Sequence, residues 1–226
     1  MIYVLGTRTT SSMVADVIGW NEVGGYIENQ WKDKKEFCGK PVFWIGEIHN
    51  LRCRANTSFI CGIASSHQRR VYADSSGLTR GDWITITHGT SSVSKSLLDA
   101  SCRLSLEGVI ISRLVAVGHN AKIGRHVFLN RGVLVGHDTV LEEFVTMSPG
   151  ANIAGCCHVG AGAYIGMGAV IVDRINIGEN AFVAAGAVVV KDVPANTAVM
   201  GVPAKPIAVQ EGSRICDRID WSKYEC

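Results

Sequence analysis

Several signatures are missing from this 226-residue chain, and each absence closes off a class of function. Hydrophobic residues make up 47% of it, yet no run of about 18 uncharged apolar residues occurs, so no segment reads as a membrane span. The opening stretch, MIYVLGTRTTSSMVADVIGW, lacks the basic n-region and small-residue cleavage site of a secretory leader, and a cytoplasmic location is the expectation. A charge bias is also lacking. Lys plus Arg is 22 against Asp plus Glu 20, a formal net charge of +2, too weak to point to nucleic acid or an anionic membrane as partner. None of the eight cysteines stands in a C-x-x-C pair, which argues against a zinc cluster. Without a secretory signal they are expected as free thiols, with Cys216 and Cys226 of the polar tail the most exposed.

What the chain has is a rhythm. From Val117 an aliphatic residue recurs every six positions without a gap: Ile123, Leu129, Val135, Leu141, Met147, Ile153 and onward to Val189. Glycine often follows it, as at Gly118, Gly136, Gly160 and Gly178, and a small or β-branched residue comes four positions after it. A period of six matches no helical face. It matches short strands joined by tight corners, each strand sending one large side chain inward, with glycine easing the corners and stacked coils sharing one core. Upstream the phase is ragged, since Val93 and Ile111 fit while Asp99 and Ser105 do not, so residues 86–110 read as irregular first coils.

Residues 1–85 follow another pattern. MIYVLG reads as a strand and TRTTSSMVADVIGW as a helix capped by Ser or Thr; GGYIEN and TSFICGIA read as further strands, and SSHQRRVYADSSG as a second helix. Strand, helix, strand at this spacing predicts a small parallel α/β unit. Its first loop, GTRTTSS, could hold a phosphate through hydroxyls, Arg8 and a helix N-terminus, but a plain helix start with a solvated arginine accounts for it better. The expected division is an α/β domain at 1–85, a repeat domain at 86–208 and a tail at 209–226.

If three six-residue sides close one coil, residues 18 apart stack. His119, His137, Gly155 and Asp173 then share one column at a corner. An exposed imidazole there can take a proton near neutral pH, and Asp138 can fix its tautomer from the other ring nitrogen. The Gly155 amide can face charge developing on a thioester oxygen. That combination suits acyl transfer. The plain alternative, a solvated corner histidine, weighs about equally on spacing alone and fits His119 better. His126 and His158 carry no distinguishing mark. His119 and His137 could in principle bind a metal, but two ligands without a third are weak grounds, and no metal is expected.

The repeat with GHD, then SPGANIAGCCHVGAGAYIGMGAVI, then AAGAVVVKDVPANTAVMGVPAKPI resembles hexapeptide-repeat sugar acyltransferases of the sialic acid O-acetyltransferase and UDP-4-amino-sugar N-acetyltransferase type. The resemblance runs along nearly the whole chain, although the closing GVPAK marks only the superfamily. It implies a Rossmann-like α/β front domain followed by a left-handed parallel β-helix. It also implies a homotrimer with acetyl-CoA between adjacent β-helices, transferring an acetyl group directly to a sugar or nucleotide sugar in bacterial surface glycan biosynthesis. Carried over by position, His137 is the base and Asp138 its carboxylate. Gly155, Met167 and Ala185 contact acetyl-CoA, and Thr146 stands where members often have a second histidine near the thioester. Asn130, Arg8, Thr9, Thr10, Glu28, Asn29 and Ser65 contact the acceptor, with GTRTTSS in place of a Gly-rich loop. Two other readings are a β-helix that binds a sugar nucleotide or serves as a scaffold without catalysis, and a zinc carbonic anhydrase on the same fold. The latter is disfavoured by the spacing of His119, His137 and His158.

Overall fold

The structure, a computed structural model, describes residues 1–98 and 106–207; the tail with Cys216, Trp221, Tyr224 and Cys226, and Cys102, lie outside the described residues. None of the described helices is long and apolar enough to cross a membrane.

The opening apolar runs build a sheet of β1 (Ile2–Leu5), β2 (Val23–Glu28), β3 (Glu36–Phe37), β4 (Lys40–Trp44) and β5 (Ser58–Cys61), in the order β3-β4-β2-β1-β5. All pairings are parallel except β3 with β4. Val4, Leu5, Ile27, Phe59 and Ile60 have no exposed surface, as central parallel strands require. The outer pair β3 and β4 was not expected. Its side chains are half-buried or exposed, and the apolar run in KPVFW opens on Pro41, which weakens its reading as a strand. Helix α1 (Thr9–Ile18) starts earlier than its Ser/Thr cluster suggests, and Arg8 occupies the N-cap without a side-chain bond. The hydroxyls expected to cap it act elsewhere: Ser11 donates to Gly62 O at 3.0 Å and Ser12 to Thr9 O at 2.7 Å. A short α2 (Ile48–Arg52) precedes β5, and α3 (Ser66–Ser75) follows it, capped by Ser65.

Beyond this sheet the chain visits three parallel sheets in turn. Fourteen two-residue strands run from Ile110–Ile111 to Val188–Val189, and those up to Val170–Ile171 pair with the strand 18 residues on, as Phe128 with Thr146 and Thr146 with Tyr164. The first strands, β6 (Ile86–Thr87) and β7 (Ser92–Val93), keep the same faces but pair 24 residues on, with Ile110 and Ala116. The extra six residues, with α4 (Lys95–Leu98) among them, account for the ragged phase there. Inward residues from all three sheets, such as Ile111, Val117, Ile123 and Leu129, meet in one core cluster.

The corners obey a second rule that runs alongside the aliphatic one. Every sixth residue from Gly108 to Gly186 has positive φ: six glycines, and Leu114, Asn120, His126, Asp138, Phe144, Cys156, Arg174 and Asn180. Most side chains pay for this conformation, so it marks forced turning points. The glycines after the aliphatic positions, expected as the turning residues, have a different task. A Cβ at Gly118 would lie 2.7 Å from His137 N, and one at Gly136 would lie 2.5 Å from Gly155 N. They let successive coils approach.

Arg69 of α3 joins the two parts. It is fully buried and meets no carboxylate among the described residues. Its guanidinium donates to His126 O at 2.8 Å, Ile63 O at 2.7 Å, Ala64 O at 3.0 Å, Phe144 O at 2.8 Å, Val145 O at 3.2 Å and Thr146 Oγ1 at 2.9 Å. Burial pulls its pKa down to about 10, so the cation survives at neutral pH. Beside it His126, unremarkable by sequence, is buried between Phe144, stacked at 5.0 Å, and Trp83, edge-on at 4.5 Å.

Candidate active site

The corner after Leu134–Val135 carries the histidine and aspartate side by side. Asp138 takes one of the left-handed turning positions, at φ 55°, and both side chains project outward: His137 is 63% exposed and Asp138 46%. His137 Nδ1 lies 2.8 Å from Asp138 Oδ2, and Asn120 Nδ2 donates to Asp138 Oδ1 at 2.7 Å. Hydrogen bonds from His137 first and Asn120 second hold the Asp138 carboxyl below the usual carboxylate range. The carboxylate is therefore ionised at neutral pH and accepts the Nδ1 proton, which leaves Nε2 with its lone pair free.

Gly155 lies directly under the ring. A Cβ built there would sit 2.6 Å from His137 Nε2, so only glycine leaves this space open. Among the described residues the Gly155 amide donates to no acceptor. An imidazole nitrogen thus stands beside a glycine whose N–H is unused, the two kinds of group that acyl transfer needs. Asn120 and Cys156 occupy the same corner column as Asp138, 18 residues before and after it. Neither was singled out by sequence, although the stacking arithmetic that joins His137 to Gly155 leads to both.

The other expected contacts divide. Met167 and Ala185 are exposed, but they follow strands of a different sheet and lie, with Asn130, on a different edge from His137. The Thr146 hydroxyl is buried against the front unit, donating to Ala64 O at 2.9 Å and accepting from Arg69. Spacing placed it on an outer face; the front unit covers that face.

In the front unit a narrow cleft, too tight for a water molecule, lies where the carboxyl ends of β1, β2 and β5 meet, the usual ligand position of an open parallel sheet. Gly6, Thr7, Arg8, Glu28, Gln30, Ile63, Gln68 and Tyr72 line it. A neighbouring hollow of about 290 Å³ is walled by Asn29, Gln30, His67, Gln68, Val71 and Tyr72. Arg8 reaches Gln30 Oε1 at 3.2 Å and lies over Trp31 at 5.0 Å, so it is held in place rather than simply solvated. Asn29 Oδ1 is buried with no hydrogen-bond partner. Glu28, expected as a ligand contact, is spent internally: Thr7 donates to Oε2, while Tyr72 at 2.6 Å and the Asn29 and Gln30 amides at 2.8 Å donate to Oε1. It shapes the cleft instead of reading a ligand. Thr9 and Thr10 lie in the first turn of α1, and Ser65 accepts from Gln68 N, so none of these three lines the cleft.

No protein-family model matches the chain, and no curated protein matches its sequence. Solved structures do. A histidine-to-asparagine mutant of perosamine N-acetyltransferase from Caulobacter crescentus, in complex with CoA and GDP-perosamine, is 26% identical with a TM-score of 0.81, covering 92% of this chain and 97% of that one. The acetyltransferase domain of PglB from Neisseria gonorrhoeae superposes with a TM-score of 0.79 at 24% identity, covering 91% and 98%. WeeI from Acinetobacter baumannii gives 0.75 at 24%, covering 92% and 99%. The Caulobacter neighbour is an N-acetyltransferase, and in all three cases the match takes in both the front unit and the repeats.

Proposed function

We propose that this chain is an acetyl-CoA-dependent N-acetyltransferase acting on a nucleotide-linked amino sugar. One observation carries the reading: an exposed imidazole, oriented by an ionised carboxylate, stands over a glycine whose amide is unused. His137 Nε2 takes a proton from the acceptor amine as nitrogen attacks the thioester carbonyl. Asp138 stabilises the imidazolium that results, and the Gly155 N–H donates to the carbonyl oxygen as it gains charge. Transfer is direct, with no acyl-enzyme, and CoA leaves as the thiol. The CoA and GDP-perosamine in the Caulobacter relative support both substrate classes.

The front cleft and the hollow beside it are the acceptor's nucleotide site on this reading. Arg8 supplies charge for a diphosphate, and the orphaned Asn29 Oδ1 awaits a donor such as a nucleobase N–H. Residues 1–85 form a Rossmann-like unit and 86–208 a left-handed β-helix, working in the cytoplasm on precursors of surface glycans. The working unit is a trimer. Asn130, Met167 and Ala185 lie on one edge and His137 and Gly155 on another, so one site draws on two copies. The sheet between these edges offers Ala116, Leu134, Asn152, Val170 and Val188 outward, with Leu134 43% and Val170 39% exposed, a face apolar at each of these rungs but Asn152 that a partner would cover. The test is a panel of nucleotide-linked amino and hydroxy sugars offered with acetyl-CoA, read as thiol release. Release with amino sugars alone supports the proposal; tight sugar-nucleotide binding without release from any acceptor favours a non-catalytic binder.

A further inference from the structure

Sequence spacing pairs His137 with His119 as conceivable metal ligands, but the fold gives His137 two nearer companions. One donor atom from each of His137, Asp138 and Cys156 lies within 4.8 Å of the others, and all three side chains are exposed. Cys156 is a free thiol brought to the corner from the next coil, with φ 57°, directly beside Asp138 in its column. We propose that these three residues form an inhibitory site for a thiophilic divalent cation, zinc first among them, and that its occupation switches off the base. The inhibitory half rests on the reading of His137 as base; the binding half does not.

Nitrogen, carboxylate and thiolate are the donor set zinc selects, at about 2.0–2.3 Å from the metal. Two such ligands on a tetrahedral ion lie about 3.3 Å apart, so the 2.8 Å gap between His137 Nδ1 and Asp138 Oδ2 has to open by only about 0.5 Å to admit one. Asn120 holds the other carboxylate oxygen, Oδ1, leaving Oδ2 for the metal. No side chain at 155 crowds the ring, and solvent can fill the fourth position. The proton balance explains the inhibition. Zinc takes the Nδ1 position that a proton occupies in the resting pair, and that proton moves to Nε2. The thiol gives up one proton to solvent. An imidazole protonated at Nε2 and metallated at Nδ1 cannot accept a proton from an amine. Proton and metal compete for one gap, so the geometry that activates the base also exposes it to capture.

Cobalt(II) added to the full-length protein reads binding without turnover, because a thiolate ligand gives a near-ultraviolet charge-transfer band. Wild type is expected to show that band; Cys156→Ser is expected to lose it and to bind at least about tenfold more weakly. Zinc(II) titrated into the acetyl-transfer assay, with acetylated sugar read by mass spectrometry, should inhibit wild type and should require at least about tenfold more metal against Cys156→Ser. Metal-free Cys156→Ser should turn over like wild type. The same cobalt spectrum in both proteins, or no band in wild type, overturns the site. A band that depends on Cys156, in a protein that acetylates no acceptor, leaves the site standing and overturns the functional reading. Unequal cobalt binding with equal zinc inhibition overturns the switch.

Discussion

Two ring positions decide what the histidines of this chain do. At Gly155 a methyl group would lie 2.6–3.0 Å from three atoms of the His137 ring, the free end of an exposed side chain. The ring can swing away at little cost to folding, but it then leaves its place. Gly155→Ala is therefore expected to melt within about 1 kcal/mol of wild type while turnover falls about 10–100-fold, since a displacement of about 1 Å can cost that much. Loss of both stability and activity would mean that the glycine serves packing alone. His126 is the opposite case. Burial first, then Arg69 and Arg125, push its pKa down from 6.5 to about 3, so it stays neutral in the folded protein. The unfolded chain takes up that proton as pH drops below about 6.5 and the folded chain does not until about 3, so stability present at neutral pH drains away across that window. By pH 5 the loss from this residue is about 2 kcal/mol. Phe144 holds the equivalent corner one coil on, also at positive φ, so the position tolerates a phenyl ring. In His126→Phe the melting temperature should fall less between pH 7 and pH 5 than in wild type; equal falls would show that His126 is not the acid-sensitive group.

At the scale of elements, α3 is fastened to the repeats by the buried Arg69 guanidinium, with Arg70 beside it over Phe144 and near Glu143. Arg69→Leu would leave His126 O, Ile63 O and Phe144 O without a donor among the described residues and take one donor from Ala64 O, Val145 O and the Thr146 hydroxyl, and denaturant unfolding should show a loss of at least about 3 kcal/mol. Arg69→Lys should recover only part of it, because one ammonium cannot fork across the carbonyls. Wild-type stability in both variants would contradict this joint. Nothing local in SSHQRRVYADSSG announces the role, since the partners of Arg69 in the repeats lie 57 to 77 residues away. The same holds for Thr146 and Glu28. Their positions on a face or loop were legible, but the neighbours that bury them were not. What the sequence makes plain is whatever repeats within one coil. The inward aliphatic at every sixth position is legible because the core admits little else, and the column joining His137 to Gly155 follows by arithmetic. The series of left-handed corners escaped because it admits Leu114, Phe144 and Arg174 as readily as glycine. The strand pair at 36–44 escaped because β3 is two residues long and β4 opens on Lys40 and Pro41, which read as a turn.

At the scale of the whole molecule, catalysis should depend on assembly. A charge placed in the outward ladder of Leu134 and Val170 would have to be buried when copies meet. Leu134→Glu is thus expected to run as a monomer by light scattering, with wild type expected as a trimer, and to lose most acetyl transfer although His137 and Asp138 are intact. A monomeric, fully active variant would show that the site is complete in one copy. The central claim concerns the imidazole itself, and it is tested most directly by kcat/KM for acetyl transfer to a nucleotide-linked amino sugar in wild type and His137→Ala, with assembly checked in both. A positioned base contributes about 10²–10⁴-fold, so the variant should fall by that factor while remaining assembled. A variant that keeps near-normal kcat/KM as an intact assembly would contradict the account.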